Sequence, residues 1–164
     1  MRLSGRTALV EALEAVGERL DYDGVICTLV VVGGAALNLL RIVDRPTIDV
    51  DVLASLGSDG ETLQPPDPLP DALRRAIVAV AHDRGLAENW VNTVVADQWR
   101  FGLPPGLGGR LTWRSFGGLR VGIVERSDLV FFKLYASADQ TGPDNVHIRD
   151  LLAVHSERFE LFSR

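Results

Sequence analysis

The chain has 164 residues, of which 46% are hydrophobic and 24% charged. These values predict a single soluble domain over residues 1–164, one that buries about two thirds of its surface. The net charge of −5 disfavours duplex DNA as a partner, because proteins that bind it usually carry a basic surface.

The same composition indicates a cytoplasmic protein without a membrane partner. No apolar run approaches the roughly 20 residues of a membrane-spanning helix, and the first residues lack the apolar core of a signal peptide. Cys27 is the single cysteine, so neither an internal disulfide nor a Cys-based zinc cluster can form. We interpret Cys27 as a small core residue at the start of an apolar strand.

In the first half of the chain, helical and strand-like patterns alternate. Leucines and valines at three- and four-residue spacing predict an amphipathic first helix, and short β-branched runs predict strands. The predicted elements are a helix over 7–20 capped by Ser4, a buried strand over 27–32 ending at Gly33-Gly34, a short helix over 35–42 and a strand over 47–53.

The second half contains two loops, a clear helix and a hairpin. Gly and Pro mark the loops, and Gly117-Gly118 marks the hairpin turn. The predicted elements are a loop over 55–70, a helix over 71–84, an ambiguous segment over 90–96, a loop over 101–109, hairpin strands over 110–116 and 119–125, a helix over 128–138 capped by Ser127, and a last helix from about Asp144 through 151–153. This order predicts an α/β (α+β) fold, in which helices pack on a small mixed sheet.

Two carboxylates interrupt the second strand, at Asp49 and Asp51. Residues two apart on a strand point to the same face, with Cα atoms about 6.6 Å apart. Two like charges this close repel each other and lose hydration. A divalent cation removes both problems, and ligands that are all oxygen suit Mg²⁺ or Mn²⁺. We therefore predict that Asp49 and Asp51 are metal ligands, although Asp-x-Asp on a solvated edge strand is the alternative.

Gly33-Gly34 ends the first strand and precedes a helix. At such a turn, backbone N–H groups can face a phosphate. Fourteen residues separate Gly34 from Asp49, enough for one short helix and a return to the sheet. The segment is thus interpreted as a phosphate-binding turn beside a metal site, against the alternative that the glycines serve only close packing.

The segment from Gly33 to Val52, GGAALNLLRIVDRPTIDVDV, resembles the signature of the nucleotidyltransferase superfamily, a Gly-Gly or Gly-Ser pair followed by Asp-x-Asp. Its Arg45-Pro-Thr47-Ile-Asp49-Val-Asp51 core is similar to that of minimal and abortive-infection toxin-type members. Residues 127–136, SDLVFFKLYA, and Arg149-Asp150-Leu151 resemble two later helices of those proteins. The matches span about residues 30–152, in the family's order.

The resemblance implies a role for each matched residue. Gly33 and Gly34 would contact the triphosphate of an NTP, together with Arg45 and Thr47, although an ordinary strand residue is the alternative for Thr47. Asp49 and Asp51 would hold Mg²⁺ or Mn²⁺ for catalysis. Two further assignments have structural alternatives: Lys133 would be a cation on the phosphate side or a snorkelling lysine, and Asp150 would position Lys133 or an arginine, or would be an ordinary helix-face acid.

The implied activity is Mg-dependent transfer of an NMP from an NTP to an acceptor hydroxyl. The acceptor would be a tRNA 3′ end or a protein, and the protein would be the toxin of a toxin–antitoxin pair, with an antitoxin-like partner. Active members usually add a third carboxylate from a neighbouring strand, and the strand over 110–116 has none. Asp97 or Glu125 could substitute if the fold brings either close.

The missing acid motivates an alternative from another class, a catalytically impaired module that binds a partner protein. A third reading is a small-molecule transferase of the aminoglycoside type, for which Asp59, Glu61 and Asp67 in the long loop would line a substrate cleft. The arginines of residues 100–120, namely Arg100, Arg110, Arg114 and Arg120, are either a functional patch or a solvated face.

Overall fold

The computed structural model describes residues 3–138, apart from the side chains of Lys133 and of residues 135–138, and contains a mixed sheet with helices packed on it. The helices are α1 (Arg6–Tyr22), α2 (Gly33–Leu39), α3 (Asp71–Arg84) and α4 (Arg126–Ala138), with 3₁₀ helices at Val94–Phe101 and Leu107–Arg110. The strands are β1 (Cys27–Val32), β2 (Val50–Leu56), β3 (Leu63–Gln64), β4 (Val91–Asn92), β5 (Thr112–Phe116) and β6 (Leu119–Ile123). The predicted α/β (α+β) class is confirmed, while the single domain over 1–164 stays a prediction.

The sheet has the strand order β3-β2-β1-β6-β5, and β4 also pairs with β2. β1 is antiparallel to β2 and parallel to β6, whereas β4 runs parallel to β2. Because of these directions, the end of β1 and the starts of β2 and β4 meet at one end of the sheet. The glycine pair and the Asp-x-Asp segment meet there for this reason.

The core lies between the sheet and the helices. α1 packs against α3 and contacts both β5 and β6. Five of the six β1 residues are buried, as expected for a central strand covered on both faces. Trp90, the residue immediately before β4, is fully buried. Its indole N–H donates to the carbonyl of Ile77 in α3 at 3.0 Å, so this hydrogen bond joins the start of β4 to α3. Cys27 is buried, as predicted, and burial raises the pKa of its thiol.

Two predicted helix caps are wrong. α1 begins at Arg6 with Gly5 in the N-cap position, so Ser4 lies one residue too early. α4 begins at Arg126, which places Ser127 inside the helix. In α1 the backbone N–H of Arg6 donates to Asp44 Oδ1 at 3.0 Å, so a carboxylate from another segment takes the part of a capping side chain.

The second strand begins later than predicted. Thr47 forms an isolated bridge with Leu3 instead of joining the sheet, and β2 runs from Val50 to Leu56. Asp49 therefore lies immediately before the strand, and Asp51 lies inside it. The short helix α2 begins at Gly33 itself, two residues earlier than predicted.

The helix over 71–84 and the hairpin are confirmed. The ambiguous segment over 90–96 contains β4 and the start of a 3₁₀ helix, and the loop over 55–70 contains β3. The predicted last helix lies outside the described residues. Among the described residues, no helix combines the length and apolar character needed to cross a bilayer.

Each of the four clustered arginines contacts an acid or an aromatic ring. The contacts are Arg100 with Asp97, Arg110 with Asp128, Arg114 with the ring of Phe116 and Arg120 with the ring of Trp113. Arg110 is the most constrained of them, since it donates to both carboxylate oxygens of Asp128 at 2.9 Å. This hydrogen bonding raises the pKa of Arg110. These four arginines therefore make contacts within the protein, in and around the hairpin.

Candidate active site

Gly33 and Asp51 touch at the end of the sheet. Val32, the last residue of β1, pairs with Asp51 of β2, so the chain turns into α2 directly beside that carboxylate. Gly33 has φ +72°, and a Cβ built on it would lie 2.6 Å from Asp51 Oδ2. Any larger residue here would be strained and would displace the carboxylate.

The second glycine lies against the segment that leads into β2. A Cβ on Gly34 would meet Thr47 Oγ1 at 3.2 Å and the Arg45 guanidinium at 3.8 Å. Thr47 Oγ1 donates to the backbone carbonyl of Asp49 at 3.1 Å. The structure therefore brings the glycine pair, Arg45, Thr47 and both aspartates into one region, while the roles predicted for them stay predictions.

A buried asparagine holds this region together. Asn38 of α2 is fully buried, and its Nδ2 donates to the carbonyls of Gly34 at 3.0 Å and Arg45 at 3.2 Å. Its Oδ1 accepts the backbone N–H of Arg45 at 3.2 Å. The amide thus links α2 to the loop before β2. Sequence reasoning missed Asn38, and the available signal was a polar side chain in an otherwise apolar short helix.

Arg6, at the start of α1, forms hydrogen bonds with the end of α2 and with the loop between α2 and β2. Its Nε donates to the Asn38 carbonyl at 2.8 Å, and its Nη2 donates to the Val43 carbonyl at 2.9 Å. The backbone N–H of Arg6 donates to Asp44 Oδ1 at 3.0 Å. The Arg6 side chain thus adds hydrogen bonds to main-chain carbonyls at the end of α2 and in the turn that follows it.

Asn92 of β4 joins the two aspartates. It pairs with Asp51 in the parallel register between β4 and β2. Its Nδ2 lies 3.2 Å from Asp49 Oδ2 and 3.4 Å from Asp51 Oδ1, so one amide nitrogen donates to both carboxylates. Sequence reasoning missed Asn92, because a two-residue strand gives no periodic signal.

The local electrostatics disfavour charge on Asp49. Burial raises the pKa of this carboxyl, and the hydrogen bond from Asn92 opposes the shift. A half-buried carboxylate with a raised pKa beside a second carboxylate is a candidate for a functional group.

One family model matches the chain over residues 7–155, and its description is "Nucleotidyltransferase of unknown function (DUF6036)". The chain belongs to this family. No curated protein and no solved structure matches it. The predicted nucleotidyltransferase resemblance is thereby confirmed, and the family description names no substrate.

In this nucleotidyltransferase family member, the oxygen donors that fit a divalent cation are the carboxylates of Asp49 and Asp51. Within residues 3–138, no cluster of three or more His, Cys, Asp or Glu side chains could hold a metal. Neither Asp97 nor Glu125 therefore completes a three-acid site. The hairpin strand β5 lies at the far edge of the sheet from β2, and the strand that flanks Asp51 is β4, with Asn92.

The downstream motif falls partly outside the described region. Lys133 lies on α4, which packs against α2, and its side chain is among those not described. Asp150 lies outside the described residues. The motif's first acid, Asp128, is buried and bound to Arg110, so it has a structural contact.

Acids of the long loop are engaged in hydrogen bonds of their own. Asp59 accepts the backbone N–H groups of Glu61 and Thr62, each at 2.9 Å, and bonding to Thr62 lowers its pKa to about 2. Asp67 accepts the hydroxyl of Thr93 at 2.7 Å. These contacts give the small-molecule transferase reading no support.

Proposed function

We propose that this protein binds an NTP at the end of the sheet and transfers its NMP to an acceptor hydroxyl. The observation that carries the proposal is the contact of Gly33 with Asp51, beside Asp49, at the point where β1 turns into α2. It joins a turn that can face phosphate to a pair of carboxylates that suits a cation.

Each residue has a part in this proposal. Asp49 and Asp51 hold Mg²⁺ or Mn²⁺, which when bound would draw charge from the reacting phosphate and offset that of the leaving group. Gly33 and Gly34 let the backbone approach the triphosphate, and Arg45 lies beside Gly34 as a cation for the same phosphates. Thr47 supports the backbone of Asp49.

The transfer is a displacement at the α-phosphorus. The acceptor oxygen forms a bond to this phosphorus, the bond to the bridging oxygen breaks, and pyrophosphate leaves with the electron pair. The hydroxyl proton passes to solvent. Positioning and charge stabilisation supply most of the acceleration in such reactions.

The acceptor is proposed from the resemblance to toxin-type members. On that basis it is a tRNA 3′ end or a protein hydroxyl, and an antitoxin-like protein would be the partner. Lys133 and Asp150 would act on the phosphate side of the same site.

Calorimetry with α,β-imido analogues of the four NTPs in the presence of Mg²⁺ tests the proposal. We expect at least one analogue to bind, and we expect Asp49→Ala and Asp51→Ala to weaken binding about 100-fold or more, because each removes a charged ligand. Asp97→Ala, which removes an exposed acid outside the site, is the matched control. The proposal would be refuted if the wild-type protein bound no analogue, or if both site variants bound the analogue as tightly as the wild type.

Beside the two aspartates, the neighbouring strand β4 supplies the amide of Asn92 in place of an acid, and this favours a second candidate, a module that keeps the fold and binds a partner protein without catalysis. Transfer of α-³²P label from NTPs to total tRNA or to lysate proteins separates the two functions. Label that depends on Asp49 and Asp51 would exclude the module, whereas nucleotide binding without any transfer would favour it.

A further inference from the structure

Asn92 occupies a defined position relative to the two aspartates. β4 is parallel to β2, and the register pairs Val91 with Val50 and Asn92 with Asp51. Paired residues on neighbouring strands project to the same face of a sheet. The side chain of Asn92 therefore shares the face of Asp51, at the edge of β2 opposite β1.

The orientation of the Asn92 amide is determined by a third contact. Its Oδ1 accepts the backbone N–H of Val94 at 3.1 Å. A backbone N–H can only donate, so the atom that faces it must be the oxygen. Nδ2 therefore faces the carboxylates, and the reversed amide would lose all three hydrogen bonds.

This orientation presents hydrogen-bond donors where a third acid would present acceptors. An amide N–H cannot bind a cation, and the two carboxylates together carry at most two negative charges. Asp51 Oδ1 faces Asn92, whereas Asp51 Oδ2 faces Gly33. Two divalent cations about 3.5–4 Å apart repel each other strongly, and the described residues supply no third acid here to offset their charge.

We propose that Asn92 is a positioning residue that holds Asp49 and Asp51 together before the nucleotide arrives and limits the site to one divalent cation, the ion that accompanies the nucleotide. This inference rests on the proposed function. In the metal-free protein the amide hydrogens offset the repulsion between the carboxylates, as a cation would. Cation binding without nucleotide is therefore weak.

Counting bound Mn²⁺ by electron paramagnetic resonance, with and without an α,β-imido NTP analogue, tests the proposal. For the wild-type protein we expect one Mn²⁺ per protein–analogue complex. For Asn92→Asp we expect a second ion, and Mn²⁺ affinity without nucleotide at least about tenfold tighter, because a third charge joins the pair. Asn89→Asp, an exposed change of the same type near β4, should behave like the wild type.

Asn92→Ala provides a measurement that addresses positioning. Removal of the amide takes away the hydrogen bonds that join the two carboxylates, so we expect analogue affinity to fall about tenfold while one Mn²⁺ still accompanies it. Thermal unfolding of all variants shows that they are folded. Unchanged analogue affinity in Asn92→Ala would overturn the positioning role.

The remaining outcomes distinguish failure of the inference about Asn92 from failure of the proposed function. A wild-type complex with two Mn²⁺ ions, or an Asn92→Asp variant that still holds one, would overturn the inference and leave nucleotide binding intact. Failure of the wild-type protein to bind any analogue would overturn both.

Discussion

At the scale of one residue, Asp49 is a carboxyl group that lowers the stability of the folded protein when it is ionised. Burial raises the pKa of its carboxyl, so the folded chain favours the protonated form more than the unfolded chain does. Its stabilising contribution is complete below the unfolded pKa and is lost as the pH rises through the folded pKa. At neutral pH the ionised group therefore opposes folding, as is common at functional sites.

We expect Asp49→Asn to stabilise the protein in EDTA at pH 7, by up to about 1 kcal/mol because remaining exposure screens the charge. The gain should shrink as the pH falls through the folded pKa. Urea unfolding at pH 7 and pH 4 measures this difference, with Glu88→Gln, an exposed neutralisation elsewhere, as the control. A variant less stable than the wild type at pH 7 would contradict the assigned cause.

At the scale of elements, α1 and the hairpin approach each other closely. A Cβ built on Gly17 would lie 1.5 Å from the Phe116 carbonyl oxygen. The backbone N–H of Gly118 donates to the Gly17 carbonyl at 3.1 Å. This contact sets the distance between α1 and the β5–β6 turn, while Arg6 at the other end of α1 donates to the Asn38 carbonyl.

Gly17→Ala should lower the free energy of unfolding by about 2–4 kcal/mol, because the added methyl group meets backbone that cannot move aside. Gly109→Ala is the matched control, since a Cβ there meets nothing within 4 Å. That change should be neutral or slightly stabilising. Denaturant midpoints of both variants measure the difference, and equal midpoints would show that α1 can shift.

At the scale of the whole molecule, one ion pair joins distant parts of the chain. Arg110, at the end of a 3₁₀ helix, binds both oxygens of Asp128 in the first turn of α4. Asp128 is 6% exposed. Arg110 also donates to the Pro105 carbonyl at 2.7 Å, so the loop before β5 is attached to α4 through one guanidinium.

Asp128→Asn should destabilise the protein by about 1–3 kcal/mol, since it removes a charged, bidentate acceptor from a partly buried pair in which the carboxylate is the buried member. Asp97→Asn breaks the exposed pair with Arg100 and should change stability by less than about 0.5 kcal/mol. The free energy of urea unfolding distinguishes the two. If Asp128→Asn lowered the free energy of unfolding as little as Asp97→Asn does, water would be able to replace the hydrogen bonds of the Arg110–Asp128 pair.

Several features were predictable because they depend on nearby residues. The helix over 71–84, the strand over 27–32 and the hairpin around Gly117-Gly118 follow from periodicity and turn residues. The late start of β2 was not predictable, because Thr47 pairs with Leu3, more than forty positions away. The two cap predictions were wrong because each relied on a serine alone: α1 has Gly5 at its N-cap, and α4 begins one residue before Ser127.

The sequence by itself determined the class of fold, the family and the glycine and aspartate pairs of the candidate site. These features depend on short segments, and the residue types and spacing within each segment are enough to indicate them. Only the tertiary structure decided what surrounds the aspartates, because Asn92 reaches both of them from β4, a strand of two residues that pairs in parallel with β2. Such contacts arise when distant segments pack together, and no local pattern of residues records them.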